Sequence, residues 1–95
     1  MTVEGLRSEL EIIISSLSSS GFGSIDSEAI EELNKLAAGM DELGLKEGKR
    51  LTENLTGTMK AIQEGKSQSG SGDIRLMALD FYVKKLSDGE NTEEL

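Results

Sequence analysis

The stretch DSEAIEELNKLAAGMDELGL, residues 26–45, decides the fold. Its apolar residues Ala29, Leu33, Leu36, Met40 and Leu43 recur at steps of four, three, four and three, with Ile30 and Ala37 alongside. That period gathers them on one face of an α-helix and does not fit the twofold alternation of a strand. Glu31, Glu32, Lys35, Asp41 and Glu42 fall on the opposite face. Both ends are marked. Asp26 is placed to cap the first turn, and Ile25 before it predicts a hydrophobic staple on Ile30. Gly44 supplies the left-handed residue of a C-terminal cap, and Leu45 follows where a Schellman motif places an apolar side chain.

Downstream, the next helix begins near Lys46, with Leu51, Leu55, Met59 and Ile62 as its buried stripe and Thr58 beside it. So short a connection predicts a central antiparallel hairpin. Gly48 and Gly57 fall inside this second member, where each costs about 1 kcal/mol relative to alanine. They either admit a close backbone approach or weaken the helix. Gly65 ends it, and KSQSGSG at 66–72 reads as a flexible connection.

Upstream, Thr2 caps a helix whose stripe is Val3, Leu6, Leu10, Ile13 and Leu17. The run Ile12-Ile13-Ile14 pulls against it, since β-branched residues favour extended structure. Turn-forming residues from Ser18 to Ser24 predict a flexible connection, within which Phe22 is either a core anchor or a contact residue. A fourth helix opens at Asp73 and runs to about Ser87. It carries two stripes, Leu76, Leu79, Val83 and Leu86 on one and Ile74, Met77 and Phe81 on the other, with Ala78 and Tyr82 between. The expectation is one all-α domain over residues 1–87, a small bundle of four short helices, followed by an acidic flexible tail at 88–95.

Composition removes whole classes of function. The 95 residues include no histidine, cysteine, proline or tryptophan, so the usual zinc, haem and iron–sulfur ligands are missing, together with thiol and histidine-based nucleophilic catalysis. A net charge of −8 argues against binding to a phosphate backbone. The longest apolar run is Ile12-Ile13-Ile14, far short of the ~18 residues of a membrane span. Glu4 precedes any apolar run and no basic segment stands before it, so a cytoplasmic location without membrane association is expected. Asn54-Leu55-Thr56 matches a glycosylation sequon, which that compartment leaves unused.

The remaining motifs read as structure. Gly44-Leu45-Lys46-Glu47-Gly48-Lys49-Arg50 has three residues between its glycines and no Ser or Thr after the lysine, so it departs from a phosphate-binding loop. Its basic first turn either pairs with the acidic face of the preceding helix or holds an anion. The adjacent acids Glu31/Glu32 and Asp41/Glu42 diverge by ~100° on a helix and do not converge on a metal or a proton-transfer site.

Ile30-x-x-Leu33-x-x-Leu36-Ala37-x-x-Met40-x-x-Leu43-Gly44-Leu45, followed by Leu51-x-x-x-Leu55, resembles the leucine-rich helical pairs that accompany the zinc-binding SWIM module in some bacterial proteins. The cysteines and histidine of the zinc module itself are absent. The resemblance implies an accessory helical scaffold and carries over no functional residue.

The functional expectation is therefore a non-enzymatic protein–protein interaction module, an adaptor, scaffold or small subunit, with a homodimer favoured. Ile74, Met77 and Phe81 are its candidate partner-binding residues, because two apolar stripes on one helix cannot both face one small core. No catalytic, cofactor-binding or metal-binding residue is assigned. The alternative is a small enzyme or ligand-binding protein that uses Lys, Asp or Glu in a pocket the sequence does not reveal.

Overall fold

A computed structural model describes residues 2–22 and 25–87; the tail expected at 88–95 lies outside the described residues. Four helices follow in order: α1 (Val3–Ser20), α2 (Ser27–Leu43), α3 (Lys46–Gln63) and α4 (Ser69–Ser87). No strand occurs among the described residues, and the fold is a small all-α bundle.

Local chemistry sets most of the boundaries. The Thr2 hydroxyl accepts the Gly5 amide at 3.0 Å and starts α1. The isoleucine run stays helical because tertiary burial outweighs its extended preference: Ile14 is buried and Ile13 half-buried, while Ile12 points outward. α1 also continues through Ser18–Ser20, which the sequence assigned to a flexible turn, and stops only at Gly21, whose amide donates to the Leu17 carbonyl at 2.8 Å. The Asp26 carboxylate accepts the Glu28 amide at 3.0 Å and opens α2.

At the far end of α2, Gly44 adopts φ 76°. Its amide donates to the Asp41 carbonyl and the Leu45 amide to the Met40 carbonyl, at 3.2 and 2.8 Å, which is the Schellman pattern. Leu45 is fully buried and pins the corner. The same pattern recurs after α3, where the amides of Gly65 and Lys66 donate to the carbonyls of Ile62 and Ala61. Along α2 and α3, Asp41 meets Lys49, Met40 meets Thr52, and Ser27 meets Gln63. Those pairings are those of an antiparallel hairpin.

The start of α4 corrects the sequence reading. The helix begins at Ser69, a full turn upstream of Asp73, and takes in Gly70 and Gly72. Gly72 is buried because the Phe22 ring lies on it; a Cβ there would sit 2.7 Å from the ring. A segment with poor intrinsic helix propensity is thus held by a tertiary contact that requires its glycine.

α2 packs most extensively on α3 and α3 on α4, while α1 borders both α4 and α2. The core gathers Leu6, Leu10, Ile14 and Leu17 from α1 with Ile30, Leu33, Leu36 and Met40 from α2. Leu55 and Met59 of α3, Leu76, Leu79 and Val83 of α4, and the corner residues Phe22 and Leu45 complete it.

Candidate interaction surface

α4 divides its apolar residues between two environments. Leu76, Leu79 and Val83 are buried, whereas Ile74, Met77 and Phe81 are 68%, 71% and 64% exposed. At 100° per residue the exposed three fall within an arc of about 60°, turned away from the buried three. The sequence-predicted partner residues are therefore brought together, on one continuous outward face. Ile12, at 69%, is a separate exposed apolar residue on α1.

Beside the α4 stripe runs an open groove of about 340 Å³ between α3 and α4. Leu51, Ala78, Phe81 and Tyr82 supply its apolar lining, with Glu47 and Lys85 at its rim. The Lys85 ammonium lies 4.9 Å from the Phe81 ring centroid, a cation–π distance. Tyr82 diverges from Phe81, as sequence neighbours on a helix must, and packs its ring on Gly48 of α3. A Cβ at Gly48 would lie 2.7 Å from that ring. Gly48 is thus a docking point, whereas Gly57 faces open space.

The basic turn of α3 is engaged within the chain. Lys49 reaches Asp41 of α2 at 3.3 Å, as pairing with the acidic face of that helix requires. Arg50 makes a forked contact with Glu47, its Nε donating at 2.9 Å. The guanidinium hydrogen bond holds the Glu47 carboxyl below its usual range, and the carboxylate in turn raises Arg50. Every described Asp, Glu, Lys and Arg is exposed or half-exposed. Among the described residues no three acidic side chains gather as an ion site, and no helix is long and apolar enough to cross a membrane. In the sequon, Leu55 and Thr56 are buried and face the core.

Two features escaped the sequence reading. Thr52 and Thr56 are buried, with their hydroxyls donating to Met40 Sδ at 3.4 Å and to the Glu53 carbonyl at 3.0 Å. The four-residue spacing of Gly48, Thr52 and Thr56 carried the signal, but their residue types masked it. The groove rim of Glu47 and Lys85 had no sequence signal, because it joins residues from two helices. No protein-family model, curated protein or solved structure matches the chain.

Proposed function

We propose that the chain is a non-enzymatic helical interaction module, an adaptor, scaffold or small subunit, that acts through the outward face of α4. One observation carries the reading: α4 exposes Ile74, Met77 and Phe81 on the side opposite its buried stripe. Burying a large apolar side chain against a partner is worth up to ~1.5–3 kcal/mol, so the three together give a contact its apolar anchor. The size of the domain supports the same reading. A bundle this small buries only ~60% of its unfolded surface and gains from association. With no cysteine in the chain, no disulfide supplies the difference.

The resemblance to SWIM-associated helical segments, which implies an accessory scaffold, agrees with this class. The enzymatic alternative asks for a buried lysine or carboxylate, and the described ones lie at the surface. A cytoplasmic location suits a chain without cysteine.

Site-specific photo-cross-linking in living cells tests the reading. A photoreactive residue at Met77 is expected to trap a discrete partner, whereas one at the exposed Glu53 of α3 is not. Phe81→Glu in the same chain should abolish the Met77 adduct while leaving helix content intact. Equal trapping at both positions, or a Phe81→Glu chain that unfolds, overturns it.

A further inference from the structure

We propose that the occupant of the α4 face is a second copy of this chain, packed antiparallel about a twofold axis near Met77 and Ala78. The inference rests on α4 being the contact face and adds the partner and its register. Two independent pairs of residues place the axis. The apolar ends of the stripe, Ile74 and Phe81, are centred between Met77 and Ala78. The charged residues Asp73 and Lys84 are both exposed and lie eleven residues apart, which sets them within about 20° of each other on the same flank of the stripe. Their midpoint falls between Ala78 and Leu79, within one residue of the first.

A twofold axis at that position seats Ile74 of each copy on Phe81 of the other. The same operation sets Asp73 of each opposite Lys84 of the other, twice. Parallel packing, about an axis along the helices, instead puts this flank of the two copies on opposite sides of the contact and leaves Asp73 and Lys84 without each other. Antiparallel self-pairing satisfies both sets at once.

The distribution of charge favours the same face. α1 and α2 carry net −2 and −4, from one base with three acids and one base with five. α4 carries Arg75, Lys84 and Lys85 against Asp73 and Asp80, a net +1. Joining two copies through α4 sets two nearly neutral helices against each other, which limits the repulsion that a −8 chain brings to self-association. Lys84 already lies 3.2 Å from Asp80 of its own helix, so the approach of a second carboxylate extends an existing ion pair.

Light scattering across a dilution series should give a mass that plateaus at twice 10.2 kDa. Phe81→Glu should raise the dissociation constant about 100-fold or more, because the twofold removes an aromatic anchor and buries an unpaired carboxylate at two places in the contact. Because the chain has no cysteine, orientation can be read by thiol cross-linking. Ile74→Cys and Phe81→Cys chains, mixed, should cross-link through a short bis-maleimide, and Ile74→Cys alone should not. Lys84→Asp should weaken the dimer, and adding Asp73→Lys should restore it. A monomer into the high-micromolar range, growth beyond the dimer, or self-linking of Ile74→Cys overturns this pairing and leaves the face to an unlike partner. A dimer that survives Phe81→Glu overturns the pairing and the contact face together.

Discussion

At the residue scale, glycine carries the most information in this chain, and its four-letter neighbourhood does not say why. Gly72 lies under the buried Phe22 ring, Gly48 under the half-buried Tyr82 ring, and Gly57 under nothing. Alanine improves intrinsic helix propensity by about 1 kcal/mol at any of them. At Gly72 that gain is expected to be reversed by overpacking of about 1–3 kcal/mol, since Phe22 is enclosed and has no room to withdraw. At Gly48 the displaced atoms are the outer end of the Tyr82 ring, so the cost should be smaller. Gly57→Ala should stabilise. Thermal melts of the three variants give the order directly, and a stabilising Gly72→Ala would remove the Phe22 contact from the account of α4.

The Glu47–Arg50 pair makes a second prediction at this scale. The folded-state pKa of Glu47 is depressed by the Arg50 hydrogen bond. A depressed carboxyl contributes stability above its unfolded pKa and loses it as pH falls through the lower, folded value. Both side chains are well exposed, so the effect on global stability is small. NMR titration of the Glu47 carboxyl should therefore show a value below the ordinary range that returns toward it in Arg50→Gln. An unchanged titration in that variant would exclude Arg50 as the cause.

At the scale of elements, the α2–α3 corner concentrates local determinants within a few residues. Gly44 turns the chain with a positive φ, two amides close the Schellman pattern, and Leu45 is driven fully into the core. Gly44→Ala keeps every contact yet forces an L side chain into the left-handed region, and should destabilise by about 1–2 kcal/mol. Denaturant titration measures it, and a neutral result would mean that the corner relaxes to another conformation. α4 is the opposite case. Its first turn contains Gly70 and Gly72, and it is secured by Phe22 arriving from the α1–α2 connection. The element exists where tertiary packing places it, one turn earlier than its own residues announce.

At the scale of the whole molecule, α1 and α2 form an acidic side and α3 and α4 a mildly basic one, with the uncovered apolar stripe on α4. If that stripe closes a homodimer, folding and association are linked. The midpoint of thermal unfolding should then rise with protein concentration, and this dependence should vanish in Phe81→Glu. A concentration-independent midpoint in the wild-type chain would count against self-association at that face.

Much of this architecture was legible in the chain itself. The stripe of α2, the Asp26 cap, the Gly44-Leu45 stop and the division of α4 into two apolar sets all follow from spacing and backbone chemistry that act within a few residues. The candidate site was legible for the same reason: Ile74, Met77 and Phe81 share a face by helical period alone. Tertiary structure decided the rest. Only packing shows which of the two α4 stripes faces the core, that Ile12-Ile13-Ile14 stays helical, that Thr52 and Thr56 are interior, and that Gly48 and Gly72 are seats for aromatic rings. Each of those outcomes depends on a residue distant in sequence supplying burial or excluding a Cβ. Local propensities differ by only about 1 kcal/mol, and contacts of that reach outweigh them.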